Sequence, residues 1–172
     1  MPDVSNEYDL SCEEGLLAPL SDEQVAAVCD VVLAEEGVDR PCMVSVSVVS
    51  DERIAELNAE WRGVDRPTDV ISLECERPDD PLLAPGEPCE LGDIVLAPAY
   101  IAEQAKRFGT TFVDEFRLLL THGMLHLLGW DHLTEEDAEA MEVREEALLA
   151  LMDTDGTVDH VVLTRHREGI DE

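Results

Sequence analysis

The sequence predicts a single α+β domain over residues 1–172, in which a small mixed β-sheet of about four strands packs with about five helices. Two periodic patterns support this fold class. Several short stretches alternate apolar and polar residues, as strands with one buried face do, and several longer ones space apolar residues three and four apart, as helices do. The most apolar helical stretch carries two of the five histidines, so we expect a buried helix at the centre of the domain.

The chain begins with a segment that shows no clear pattern, and a helix with a clear capping signal follows it. Residues 1–20 have no clear period, and we expect a leading segment there with a strand near Val4. Ser21 and Gln24 form a capping box, and a helix runs behind it until Gly37.

A strand and a second helix come next. Over residues 42–49 valines alternate with serines, which predicts a strand with one buried face. Ser50 or Asp51 caps the helix that follows, and Gly63 ends it. We expect the inner stripe of this helix to consist of Ile54, Leu57 and Trp61.

Two further strands flank a loop that is rich in proline. We predict these strands over residues 69–73 and 91–97. Between them, residues 77–90 hold four prolines and should form an exposed, irregular loop. Pro98 suits the first position of the next helix, which ends before Gly109.

The central helix and a last helix complete the predicted fold. Thr111 caps the central helix, which runs over residues 112–128 and is apolar on nearly every side. The last helix opens at Thr134 with acidic residues in its first turn. Residues 153–172 should form a loosely structured tail. The last helix is expected to pack through Met141, Leu148, Leu151 and Met152.

Composition indicates where in the cell the protein works and argues against disulfide bonds and cysteine-bound metals. No apolar run is long enough to span a bilayer, and the N-terminus is acidic where a secretory signal would be basic, so we expect a cytoplasmic protein with no membrane partner. The five cysteines are scattered and form no Cys-x-x-Cys pair. They therefore indicate reduced thiols rather than a disulfide framework or a thiolate metal site.

The chain is strongly acidic, with 41 Asp and Glu residues against 11 Lys and Arg residues and a formal net charge of −30. Such a surface repels phosphate at long range, although salt screens the repulsion. A solvated surface adapted to a salty interior or selected for solubility accounts for the charge. The charge by itself does not indicate a nucleic-acid partner.

Three of the histidines fall within one short stretch. His122 and His126 are four residues apart and therefore lie on one face of a helix, a turn apart. Gly129 can end the helix and let the chain reverse, which brings His132 towards the other two. Three neutral imidazoles that converge form the ligand set of a catalytic zinc site, whose fourth position is left to water. Burying them without such a partner would cost several kcal/mol.

The spacing of these histidines is shared with the metzincin peptidases, in which a glutamate directly after the first histidine is the general base. Gly123 occupies that position here, which argues against a peptidase. Asp131 either orients an imidazole or serves as a turn residue, and the sequence leaves both open.

The loop that begins at Arg62 holds a second basic residue, Arg66. An arginine that faces the metal would bind a phosphodiester and stabilise the charge of its transition state. A surface ion pair with one of the many acidic residues explains the same arginine equally well.

Three motifs resemble those of the YbeY family of bacterial endoribonucleases, in the family's order. They are HGMLHLLGWDH over residues 122–132, WRGVDRPTDV over 61–70 and LGDIV over 91–95. The resemblance implies a zinc-dependent, single-strand-specific endoribonuclease of the cytoplasm that acts in 3′-end maturation of small-subunit ribosomal RNA and in ribosome quality control.

The resemblance also implies the roles of particular residues and partners. The metal ligands would be His122, His126 and His132, and the functionally important arginine would be Arg62. The partners would be single-stranded RNA, ribosomal RNA or the small ribosomal subunit. A ribosome-associated protein, or local positive potential from Arg62, Arg66, Lys106 and Arg107, would compensate for the acidity of the chain. The chain departs from the family at Leu73, where an aromatic residue is common, and in its acidity.

Two other functions fit parts of the sequence. A zinc hydrolase of peptide or amide bonds would account for the histidine spacing. A non-catalytic ribosome-assembly factor with a structural metal would account for an acidic surface that repels free RNA. In the endoribonuclease, the nucleophile would be water or the 2′-OH of the RNA.

Overall fold

The structure is a computed structural model that describes residues 5–130 and 133–152. The described strands are β1 (Glu7–Cys12), β2 (Cys42–Val48), β3 (Val70–Glu74) and β4 (Cys89–Leu96). The described helices are α1 (Asp22–Glu35), α2 (Asp51–Arg62), α3 (Pro98–Phe108), α4 (Phe112–Leu127) and α5 (Glu135–Met152).

The four strands form one mixed sheet in the order β1-β2-β4-β3. β1 and β4 both run parallel to β2, whereas β3 runs antiparallel to β4 at the edge. Together with the five helices, this sheet confirms the predicted α+β class.

Helix α4 lies at the centre of the larger apolar core. Three-quarters of its residues are buried, and its apolar side chains pack with those of α1, α5 and one face of the sheet. The opposite face carries a smaller apolar cluster, to which α2 contributes Ile54 and Leu57. Leu73, the departure from the family pattern, packs against this smaller cluster.

Local signals in the sequence located most helix ends correctly. Ser21 and Gln24 form the predicted capping box at the start of α1. Thr111 accepts a hydrogen bond from the backbone N–H of Asp114 at 3.1 Å, and thereby caps α4. These ends depend on residues three apart in the chain, which is why the sequence alone predicts them.

Other predictions were wrong because they depend on packing. Trp61 is 58% exposed rather than buried on the inner stripe of α2, where Asn58 is buried. Leu151 is likewise exposed, and Leu149 and Glu145 are buried on α5 in its place.

Two further features differ from the sequence prediction, namely an additional strand near the N-terminus and a shorter proline-rich loop. The first described strand is β1, which was not predicted although its residues alternate polar and apolar; only Tyr8 and Leu10 are partly buried in it. The predicted strand near Val4 and the predicted tail over 153–172 lie outside the described residues. The irregular segment is shorter than residues 77–90, because Cys89 and Glu90 already pair with β2.

No helix within the described part of the chain is both long enough and apolar enough to cross a membrane.

Candidate metal and substrate site

Helix α4 brings the first two predicted ligands together. The Nε2 atoms of His122 and His126 lie 2.9 Å apart, and the two rings meet at 82° with centroids 4.5 Å apart. Two nitrogens that bind the same tetrahedral zinc ion at the usual bond lengths of about 2.0–2.1 Å are themselves about 3.3–3.4 Å apart. The observed separation is a few tenths of an ångström shorter, so a small movement of either ring would let both imidazoles bind one metal ion.

Helix α5 supplies a carboxylate behind this pair. The Nδ1 atom of His122 contacts Oε2 of Glu145, whose side chain is completely buried. Because a carboxylate accepts a hydrogen bond, the contact places the ring proton on Nδ1 and leaves the lone pair on Nε2. An imidazole that binds a metal ordinarily has such a partner on its other nitrogen.

Sequence reasoning missed Glu145 and considered Asp131 for this role. One signal was present: Glu145 lies on the same helical stripe as Met141 and Leu148, where a buried acid requires a partner. Neither Asp131 nor His132 lies within the described residues. In the part of the chain that is described, no three His, Cys, Asp or Glu side chains are grouped so as to hold a metal ion.

Trp130, the residue before Asp131, is held in place by a side-chain hydrogen bond. The Nε1–H of Trp130 donates to Oε1 of Glu36 at 2.7 Å, and Oε2 of the same carboxylate accepts from Nε of Arg144. Glu36 follows α1 and Arg144 belongs to α5, so three parts of the chain meet at one carboxylate. This contact restrains the point from which the chain continues to His132.

The position of the peptidase base is occupied by a close helix–sheet contact. A Cβ added at Gly123 would lie 3.1 Å from Oγ of Ser72 and 3.2 Å from Cγ2 of Ile94. A side chain at this position would require the side chains of Ser72 and Ile94 to move by a few tenths of an ångström.

Arg62 is the last residue of α2 and is exposed. Its side chain makes no hydrogen bond or ion pair with another described residue, so the surface ion pair considered from the sequence is not found among these residues. Among the described residues, the side chain of Arg62 is not hydrogen-bonded to either histidine of α4.

Buried polar contacts connect the loop after Arg62 to the histidine helix. The side-chain amide of Asn58 donates to the carbonyl of Arg66 at 2.9 Å. Where the loop enters β3, Nε2 of Gln104 donates to Asp69 at 2.9 Å and to Glu115 at 2.8 Å. Glu115 lies seven residues before His122 on α4. The amide of Gln104 therefore links the arginine loop, α3 and α4.

The buried thiols are not candidates for metal binding. Burial, which disfavours the thiolate, raises the pKa of Cys29 and of Cys42 to about 12. These cysteines also belong to no group of three side chains, among the described residues, that could hold a metal ion, and we assign them as structural thiols. All five cysteines are free, as the sequence indicated.

Comparison with known proteins places the chain among the endoribonucleases. The family described as endoribonuclease YbeY matches residues 16–153, and the chain belongs to this family. The resemblance inferred from the three motifs is thereby confirmed.

Individual members of the family are similar in sequence to this chain over most of their length. Endoribonuclease YbeY of Moorella thermoacetica is 43% identical over 149 residues, which cover 85% of this chain and 92% of the relative. The protein of the same name from Desulfitobacterium hafniense is 41% identical over 140 residues, or 80% of this chain and 87% of the relative. A solution structure of a Thermotoga maritima protein shares the fold, with a TM-score of 0.55 and 26% identity over 88% of this chain and 95% of that one.

Proposed function

We propose that this protein is a zinc-dependent endoribonuclease that cleaves single-stranded RNA and binds one Zn²⁺ ion through His122, His126 and His132. The observation that carries the proposal is the convergence of two imidazole nitrogens, 2.9 Å apart, on a buried helix. Family membership supports the substrate class, because the matching family is described as an endoribonuclease.

The chain's own residues orient the site and bind the substrate. Glu145 holds the ring of His122 so that Nε2 faces His126. Arg62 binds the scissile phosphodiester and stabilises its developing negative charge, a role for which a guanidinium is well suited. A zinc ion held by these histidines would act as a Lewis acid and would lower the pKa of a water molecule to about 7.

The nucleophile is either water or the 2′-OH of the RNA. Residue 123 is a glycine, so no carboxylate base directly follows the first histidine, and its close contact with the sheet leaves little room for a larger side chain. This contact also disfavours the peptidase alternative. The products separate the two routes, since a 2′,3′-cyclic phosphate requires internal attack.

In the cell, we propose a cytoplasmic role in 3′-end maturation of small-subunit ribosomal RNA and in ribosome quality control. The partners would be the small ribosomal subunit and a ribosome-associated protein. A net charge of −30 supports a protein partner, because such a surface binds free RNA weakly.

Metal analysis combined with cleavage of a labelled single-stranded RNA tests the enzyme proposal. We expect about one zinc per chain. His126→Ala should lose both zinc and cleavage, whereas His160→Ala, outside the proposed ligand set, should keep both. Arg62→Ala should keep zinc and lose cleavage, with Arg53→Ala on the same helix as its control.

Purified protein without a transition metal, together with an active His126→Ala variant, would refute the proposal. Chelator-sensitive turnover of a peptide library would favour a peptide or amide hydrolase instead. Normal function of Arg62→Glu in cells, with a closed four-ligand metal site, would favour a non-catalytic assembly factor.

A further inference from the structure

Trp61 leaves a large aromatic surface in solvent. It lies on the same stripe of α2 as Ile54 and Asn58, both of which are buried, yet its own side chain is 58% exposed. The apolar cluster beneath α2 includes Ile54 and Leu57 and does not extend to the last helical turn. Because a buried tryptophan removes 150–250 Å² from water, this indole contributes little of its surface to stability.

The other tryptophan of the chain packs within the fold and makes a side-chain hydrogen bond. Trp130 is half-buried, and its indole N–H donates to Glu36. The indole N–H of Trp61 makes no hydrogen bond with any residue in the described ranges. The packing and polar contacts of Trp130 explain its presence in the fold, whereas those of Trp61 do not.

The backbone around Trp61 is well fixed. Gly63 adopts a left-handed conformation with φ of 71° and ends α2, and its N–H donates to the carbonyl of Ala59 at 3.1 Å. Asn58 then holds the carbonyl of Arg66 from one turn earlier in the helix. A rigid aromatic group loses little conformational entropy when it binds a partner.

The charge around Trp61 differs from that of the whole chain. Residues 60–66 contain two acidic and two basic residues and are therefore neutral, within a chain of net charge −30. The two basic residues, Arg62 and Arg66, are both exposed. A phosphate that approaches this segment meets less local repulsion than it does at an acidic surface.

We propose that Trp61 is a base-stacking residue for single-stranded RNA, and that Arg62 holds a phosphate of the same strand. This inference rests on the proposed function and adds to it a contact with the bases. Aromatic side chains bind single strands in this way, and because every base has a π-face the contact tolerates many sequences. Trp61 acts in substrate binding and has no part in the metal site.

Binding of a fluorescently labelled uridine oligonucleotide with 2′-O-methyl sugars tests the inference on the full-length, zinc-loaded protein. Trp61→Ala and Trp61→Leu should weaken binding about 5- to 100-fold, whereas Trp61→Phe, which keeps a ring, should stay within about threefold of the unaltered protein. Leu82→Ala removes an apolar side chain that is even more exposed and should change nothing.

Two further measurements distinguish stacking from damage to the fold. The oligonucleotide should quench the tryptophan emission of the unaltered protein, and this quenching should disappear in Trp61→Phe. Zinc content and melting temperature should be the same in all Trp61 variants.

The outcomes separate this inference from the proposed function. If the unaltered protein binds and cleaves RNA and Trp61→Leu binds it equally well, the inference is wrong and the endoribonuclease remains. If the unaltered protein neither binds nor cleaves single-stranded RNA, both are wrong. If Trp61→Leu and Trp61→Phe lose binding equally, the contact is not stacking, and the inference is again overturned.

Discussion

Glu145→Gln tests the link between the buried carboxylate and metal binding. The substitution keeps the size of the side chain and an oxygen that can accept from Nδ1 of His122, but it removes the negative charge. Glu145 is fully buried and the side chain of His122 is only 9% exposed, so water does not replace the lost interaction. Loss of a charged partner to a ligating imidazole typically weakens metal binding 10- to 100-fold.

The size of the effect follows from this factor. A 10- to 100-fold change in affinity corresponds to about 1.4–2.8 kcal/mol. When the metal is saturating, the stabilisation that it gives to the folded state falls by the same amount. For a chain of this length, each kcal/mol shifts the melting temperature by about 2–4 °C, so the zinc-loaded variant should melt about 3–11 °C lower.

The assay is a competition titration with a zinc-binding dye, paired with thermal melting in the presence and absence of zinc. Glu146→Gln is the matched control, because it makes the same change on an exposed side chain one residue away. Equal zinc affinities for Glu145→Gln, Glu146→Gln and the unaltered protein would refute the assigned role of Glu145.

Three other predictions follow from local contacts. Gly123→Glu should lower the free energy of unfolding by at least about 2 kcal/mol, because its Cβ would crowd Ser72 and a charge would be buried. An unchanged midpoint of chemical denaturation would contradict the close packing. Trp130→Phe removes a hydrogen bond to the carboxylate of Glu36 and should cost about 1.5–3 kcal/mol in chemical denaturation. Trp61→Phe, at an exposed indole, is its control and should cost less than about 0.5 kcal/mol. Alkylation of the native protein at neutral pH, followed by mass spectrometry, should label the exposed cysteines and spare the buried ones, and rapid labelling of a buried thiol would contradict the structure. The exposed cysteines are Cys12 and Cys75, and the buried ones are Cys29, Cys42 and Cys89.

Much of the fold and part of the site were predictable because the signals are local. Caps such as Ser21 and Thr111 depend on residues three apart, and the alternation over β2 depends on residues two apart. The pairing of His122 with His126 follows in the same way from helix geometry, since residues four apart share a face.

Other features depend on which elements meet, and the sequence alone does not specify that. Strand β1 alternates polar and apolar residues over only six positions, and its pairing with β2 is what makes this short stretch a strand. Trp61 has the helical spacing of a buried residue, yet the apolar cluster ends before it.

The sequence by itself determined the α+β class, most helix boundaries and the pair of histidines one helical turn apart. Only the tertiary structure decided that Glu145, 23 residues beyond His122, would be the partner of its ring, and that Trp61 would be left in solvent. The physical reason is the range of the interactions. Backbone capping and helical spacing act between neighbours in the chain, whereas a buried carboxylate finds its imidazole only after α4 and α5 have packed together.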